Sequence, residues 1–314
     1  MIYLDNSATT KPCDSAVQNI NKALTKNWGN PSSLYSFGVE AETVVSSARL
    51  TVANTINCRE DEIIFLSGGT EANNLALLGT ADALKRRGKR IVSTTIEHPS
   101  VLNTLKALEA SGFEVIYIKP EQSGHVDADK ITAAITADTI LVSMMLVNNE
   151  TGCILPVSTV AEHIKTNKLQ AVLHCDAVQA FGKMPIDVES LGVDLLSASG
   201  HKIHASKGVG FLYKSRKLNL KPIIFGGEQE SGLRSGTECV PLIAGLEGAI
   251  NELSIKETLK SVSELHDYAV ERLLATDIVT VNSPADSHLP FVLNSCICQN
   301  CKDVKFLYNT LFQQ

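Results

Sequence analysis

The sequence predicts an α/β fold: a mostly parallel sheet with helices on both faces, followed by a smaller α+β unit. Two observations carry this. Short apolar, β-branched runs alternate with amphipathic helical patterns through most of the chain, as βαβ units require. After about Val240 the alternation gives way to one long helical pattern and two short strands. Taken in order, 62–67 reads as a strand, 70–87 as a helix, 90–95 as a strand and 99–111 as a helix. A strand at 114–118, a helix at 127–136 and a strand at 139–147 follow, then a helix at 157–166 and strands at 170–175, 195–199 and 210–213. The tail pattern predicts a helix over 242–274, strands over 278–282 and 289–298, and a last helix over 303–312. The boundary drawn from this change of texture gives a large domain at 11–240, with 1–10 and 241–314 forming the small one.

The bulk properties limit what the chain can do. With 314 residues, 44% hydrophobic and 20% charged, it can bury a full core in two lobes. A net charge of −6 argues against a broad grip on nucleic acid or an anionic membrane. The dense basic run from Lys85 to Arg90 falls at a helix end, with Gly88 expected at the C′ position, and reads as a solvated terminus. Met1-Ile2-Tyr3-Leu4-Asp5 opens straight into folded-looking sequence, without a signal or membrane-span pattern. The eight cysteines are scattered through apparent core segments and read as reduced thiols of a cytoplasmic protein. Cys296, Cys298 and Cys301 form a close trio. With no fourth ligand evident nearby, two cysteines on one strand face plus a helix-start thiol explain it without a metal.

In an open parallel sheet, ligands collect at the carboxyl ends of the strands, and the chemically capable residues cluster there. Ser67-Gly68-Gly69-Thr70-Glu71 joins a strand to a helix. Its glycines admit close backbone approach and the helix start offers free N–H groups, so Gly69 and Thr70 suit a phosphate; an ordinary capped turn fits equally well. His98 could cap the following helix, or stack on an aromatic cofactor and relay protons. Asn148, in Asn148-Asn149-Glu150-Thr151-Gly152, could bond a cofactor ring or a substrate carboxylate, though turn formation alone explains the pentapeptide. Asp176 ends a buried strand, where a carboxylate carries a desolvation cost unless it meets a cation. Gln179 follows it, able to donate to a ring oxygen. Lys202 sits in Ser199-Gly200-His201-Lys202 beyond another strand. A lysine amine plus an acid that holds a pyridine nitrogen protonated is what pyridoxal phosphate needs.

These segments resemble the cysteine desulfurases of the class V aminotransferase superfamily, pyridoxal-phosphate enzymes of fold-type I. The resemblance runs from Tyr3-Leu4-Asp5-Asn6-Ser7-Ala8-Thr9-Thr10 through Gly29-Asn30-Pro31-Ser32-Ser33, Gly68-Gly69-Thr70-Glu71-Ala72-Asn73-Asn74 and Glu97-His98. It continues through Val147–Gly152, Asp176-Ala177-Val178-Gln179 and Ser199–Lys202 to Arg234-Ser235-Gly236-Thr237. It implies that Lys202 holds the cofactor as a Schiff base, Asp176 pairs with the ring nitrogen, Gln179 bonds the phenolic oxygen and His98 stacks on the ring. Gly69, Thr70, Ser199 and His201 would take the phosphate, and Asn148 would orient substrate. Thr237 would reach the phosphate of a partner subunit, hence a homodimer. The implied reaction converts L-cysteine to L-alanine, passing sulfur through an enzyme persulfide to an iron–sulfur scaffold protein.

The sequence departs from the family pattern in two places. Tyr35 stands where a histidine is common. The segment 303–312 runs into Gln313-Gln314 before any serine-rich loop carrying the persulfide-forming cysteine, and before the arginine that binds the substrate carboxylate. The expectation is therefore cofactor binding without family-like persulfide formation. A related lyase or aminotransferase, and a non-catalytic dimeric scaffold, are the other readings of the same residues.

Overall fold

The computed structural model describes residues 2–297. Seven strands form one sheet: β1 (Ile63–Leu66), β2 (Arg90–Thr94), β3 (Glu114–Ile118), β4 (Thr139–Met145), β5 (Val172–Asp176), β6 (Leu195–Ser199) and β7 (Gly210–Lys214). Their order is β1-β7-β6-β5-β4-β2-β3, and only β7 runs antiparallel to its neighbours. The carboxyl ends of the other six strands therefore share one edge.

Period-two burial divides the core. Along β1, Ile63 and Phe65 face one apolar cluster while Ile64 and Leu66 face the other. In β7, Phe211 and Tyr213 join the first cluster and Leu212 the second. The second face is covered by α3 (Gly69–Leu84) and α4 (Pro99–Ala110), through Leu75, Leu77, Val101 and Leu105. The first face is covered by α1 (Asp14–Thr25), α2 (Ser36–Thr55), α6 (Val157–Thr166) and α8 (Val240–Asn251). Short helices α5 (Ala128–Ala134) and α7 (Val188–Leu191) lie in the crossovers. Both faces being apolar, the strands read as continuous hydrophobic runs, as buried parallel strands do.

Three expectations are corrected. The helix expected over 242–274 is two helices, α8 and α9 (Ile255–Leu274), because Ser254 leaves helical geometry and Leu253 packs on the core. The strand expected over 289–298 begins only at Ser295: β9 (Ser295–Ile297) pairs antiparallel to β8 (Val279–Val281), and Cys298 lies outside the described residues. Pro290 accounts for that, having no N–H to donate to a ladder. Gly88 is not a C′ residue: α3 ends at Leu84, and a Cβ on Gly88 would lie 2.1 Å from the Asp138 carbonyl oxygen. Close backbone approach, not helix termination, is what selects glycine there. The basic run is otherwise a helix end tied down locally, with Lys85 on Asp82 and Arg90 on Glu114.

The boundary read near Val240 coincides with the start of α8. Val240, Ile243, Leu246 and Ile250 of that helix belong to the same core cluster as the sheet. No helix among the described residues is long and apolar enough to cross a membrane. The helix expected over 303–312 lies outside the described residues.

Candidate active site

The strand carboxyl ends open on a cleft of about 470 Å³, which Gly69, Thr70, His98, Asp176, Gln179, Ser199, His201 and Lys202 all line. Residues far apart in sequence thus meet on one wall system, delivered by the ends of four strands, β1, β2, β5 and β6.

Asp176 is the last residue of β5 and only 5% exposed. Its Oδ1 accepts from the Val178 backbone N–H at 3.0 Å, and its Oδ2 from Asn73 Nδ2 at 2.7 Å. Burial pushes its pKa up; those two hydrogen bonds and the nearby His98 and Lys202 pull it back. The site thus holds a buried carboxylate supported by two neutral donors, with no ion pair among the described residues.

Lys202 lies just past β6, where its Nζ donates to the carbonyls of Ser7 and of Ala8, the latter at 2.9 Å. Burial lowers its pKa, while Asp5 and Asp176 oppose that shift. A larger fraction of free amine follows, which suits attack on an aldehyde. The neighbouring His201 is driven down to about 4, chiefly by desolvation and then by Lys202, and is therefore neutral near pH 7. Its Nδ1 lies 3.2 Å from Thr9 Oγ1.

The phosphate candidate is built by geometry as well as composition. Gly68 has φ +151°, a backbone state that side chains rarely adopt, and a Cβ on Gly69 would sit 2.6 Å from Val178 Cγ2. Thr70 is not the cap: Gly68 holds that position, and Thr70 lies exposed in the first turn of a sixteen-residue helix, facing the cleft. Glu71 clamps the turn, accepting from the Ser67 N–H at 2.7 Å and from Arg234 Nε at 3.0 Å.

His98 caps the following helix and also lies at the cleft. Its Nδ1 accepts from the Ser100 N–H at 3.1 Å, capping α4, while the exposed ring lines the cleft. With Nδ1 as acceptor, the proton of the neutral ring sits on Nε2.

Asn148 is not among the residues that line the cleft. Its side chain accepts from the N–H groups of Glu150 and Thr151 and donates to the Ile96 carbonyl, so it shapes the turn from within. Asn149 and Glu150 are the members of that turn that line the cleft. Thr237 is exposed and is not part of this cleft. Among the cysteines, Cys175 is fully buried and its thiol is pushed well above the ordinary range by burial, Asp176 and Glu97. Cys296 is an exposed free thiol on β9, opposite Thr280; Cys298 and Cys301 lie outside the described residues. Among the described residues no group of three or more His, Cys, Asp or Glu is arranged to hold a metal ion.

Sequence reasoning missed three participants. Asn73 supports Asp176 from the helix that begins at Gly69, and its spacing from Thr70 on one helix face was the available signal. The 5–9 segment closes over Lys202 and Gln179, with the Ser7 carbonyl accepting from Gln179 Nε2 at 2.9 Å. Lys183 donates to Gln179 Oε1 at 2.7 Å. Neither of the last two contacts has a local signature.

These residues fit pyridoxal phosphate on their own chemistry. The buried Asp176 calls for a cationic ring nitrogen, the depressed Lys202 supplies an amine, and the glycine turn leaves backbone room at a helix N-terminus.

The relatives agree with that chemistry. A putative cysteine desulfurase IscS 1 of Bacillus subtilis (strain 168) is 43% identical over 293 residues, covering 93% of this chain and 74% of that protein. The solved structure of a NifS-like protein superposes with a TM-score of 0.89 at 36% identity, over 92% of this chain and 80% of that one. A structure described as SspA in complex with cysteine gives a TM-score of 0.89 at 31% identity, over 98% and 87%. The aminotransferase class-V family matches residues 2–307, and the chain belongs to that family, with cysteine desulfurases among its relatives.

Proposed function

We propose that the protein is a pyridoxal-phosphate-dependent cysteine desulfurase, taking sulfur from L-cysteine, leaving L-alanine, and supplying iron–sulfur cluster assembly. The observation that carries the reading is the meeting of Lys202 and the buried Asp176 in one cleft beside the Gly68-Gly69-Thr70 turn. Relatives named as cysteine desulfurases and a neighbour solved with cysteine support the choice of substrate.

Bound pyridoxal phosphate supplies an aldehyde for a lysine amine and a ring that accepts electrons from the substrate α-carbon. Lys202 provides that amine, and desolvation favours its free form, so the same Nζ can later accept or return a proton. Asp176 holds a proton at the ring nitrogen, with Asn73 and the Val178 N–H fixing the carboxylate plane. Gln179 donates from Nε2. Gly69, Thr70, Ser199 and His201 take the phosphate, and His98 covers the ring with its Nε2–H free for proton transfer. Asn149 is better placed than Asn148 to meet the substrate.

The active form in this proposal is a cytoplasmic homodimer, in which Thr237 serves the partner's site. Exposed Leu34, Val39 and Leu50 line one groove along α2, a surface suited to a second copy. An iron–sulfur scaffold protein is the proposed sulfur acceptor. The division into 11–240 and 1–10 with 241–314 belongs to the same proposal, though the packing of α8 favours starting the small domain after Asn251.

The test is absorbance of the purified protein with pyridoxal phosphate, before and after L-cysteine, with alanine and sulfide assayed separately. A visible band that Lys202→Ala abolishes, and that borohydride traps on Lys202, is expected. A band retained in Lys202→Ala refutes the Lys202 assignment, and a band that L-cysteine leaves unchanged refutes the desulfurase reading.

A further inference from the structure

One buried cation has no part in the scheme above. Lys183 follows Gln179 by four residues in a run of turns and is 6% exposed. Its Nζ makes a hydrogen bond to Gln179 Oε1 at 2.7 Å and stands 5.9 Å from the centroid of the Phe291 ring. No carboxylate pairs with it among the described residues. Burial pulls its pKa down to about 8, and Lys202 adds to the shift. A buried charge with so little compensation is costly to keep, which asks what it does for its partner.

An ammonium group offers three donors and no acceptor. Facing Lys183, the carboxamide of Gln179 can therefore present only its oxygen. The opposite end, Nε2, must point the other way, and it does: it donates to the Ser7 carbonyl at 2.9 Å on the cleft wall, beside Lys202. A free carboxamide has two orientations of similar shape, with donor and acceptor exchanged. Only one of them offers a donor to the cleft.

We infer that Lys183 is a positioning residue: its bond to Gln179 locks the carboxamide with the N–H₂ end toward the cleft, where it donates to the phenolic oxygen of the cofactor. The inference rests on the pyridoxal-phosphate reading and extends it to a residue that touches neither cofactor nor substrate. A donor at that oxygen favours its anionic form. Removing the lock lets an acceptor face the same oxygen, so the pH midpoint of the bound cofactor's visible band rises. The other titratable groups facing this corner are Lys202 and the neutral His201 near Lys183, and Asp5 and Asp176 near Lys202. All four remain in every variant compared.

The experiment titrates the visible band of the full chain loaded with pyridoxal phosphate, and measures cofactor affinity by titrating the cofactor-free chain. Wild type is compared with Lys183→Met, Lys183→Arg, Gln179→Ala and Gln179→Ala/Lys183→Met. Lys183→Met is expected to raise the midpoint by about one pH unit and weaken affinity by about tenfold, the scale of one charge-assisted contact. Lys183→Arg, still a donor without an acceptor, is expected to stay near wild type. The double variant is expected to match Gln179→Ala, because Lys183 acts through that side chain. If Lys183→Met does not fold, Lys183→Gln carries the same measurement, its flippable amide predicting a raised midpoint. A wild-type midpoint in Lys183→Met or Lys183→Gln, or full additivity in the double variant, overturns the assignment while leaving the cofactor reading intact. A wild-type chain that takes up no pyridoxal phosphate overturns the cofactor reading and this inference with it.

Discussion

Asp176→Asn separates the cost of the acid from its use. In the cofactor-free protein this carboxylate is buried, and its pKa is raised chiefly by desolvation. A carboxyl whose folded-state pKa is raised binds its proton more tightly in the folded chain than in the unfolded one. Its contribution to stability therefore declines as pH climbs from the ordinary carboxylate range through the raised value. An asparagine carries no charge and removes that decline. It offers one acceptor where the carboxylate has two, but Asn73 can compensate. The Asn73 Oδ1 is buried without a partner, so rotating its amide by half a turn presents an oxygen to the new N–H₂, and the Ser100 hydroxyl can donate as well as accept. The cofactor-free variant is therefore expected to fold and to melt no earlier than wild type near pH 7. Cofactor affinity should behave oppositely. Losing a charge-assisted bond to the ring nitrogen is worth about 1.5–3 kcal/mol, which is about tenfold to about a hundredfold in the dissociation constant. Thermal melting of the cofactor-free chain across pH, with a pyridoxal-phosphate binding isotherm beside it, tests both halves. Wild-type affinity in Asp176→Asn would refute the pairing, and a collapsed melting temperature would refute the account of the buried charge.

Glu97→Gln tests the other buried acid near the cleft. Its pKa is pushed up to about 8 by desolvation, so stability is expected to fall as pH rises from the ordinary carboxylate range through about 8, and the glutamine variant to flatten that slope; melting curves at several pH values decide it. Gly210→Ala puts a Cβ 2.5 Å from the Ala198 carbonyl oxygen and 2.7 Å from Gly68 Cα. Backbone must give way on both sides, at about 1–3 kcal/mol for such overpacking. Denaturant unfolding is expected to register that loss, and pyridoxal phosphate should lose more affinity than pyridoxal does; an unchanged preference for the phosphate would sever β7 from the phosphate turn.

The strands were legible because their signals are local. Val115 to Ile118 and Leu195 to Ala198 are apolar runs bounded by turn residues, and both strands fall where the sequence put them. The cleft residues were legible for a similar reason, since each ends or shortly follows a recognisable strand. Contacts between distant segments were not. Nothing near Lys183 announces an interior lysine, and nothing in Ser7-Ala8 announces two carbonyls aimed at Lys202. Asn148 and Asn149 are adjacent and chemically identical. Only the turn geometry decides which one braces the backbone and which faces the cleft. The break at Ser254 was hidden because α8 and α9 share a helical period and no glycine or proline separates them.

The single antiparallel strand has a consequence for the chemistry. β1 and β6 run the same way but are not neighbours, since β7 is inserted between them. The turn after β1 must therefore cross the start of β7 to bring Gly69 and Thr70 to the cleft that Ser199 and Lys202 line. At that crossing β7 begins with Gly210, paired with Leu66 on one side and Ser199 on the other. Any side chain there would occupy the space of the Gly68 backbone. A helix N-terminus can thus approach Ser199 across an intervening strand, and it brings N–H groups and positive potential to the end of the cleft where an anion is wanted. Asp176 stands at the carboxyl end of β5, the strand beside β6 and separated from β1 by β7 and β6. The same edge thereby offers an anion-binding end and a cation-binding end, a separation that suits a ligand with a phosphate at one end and a protonated ring nitrogen at the other.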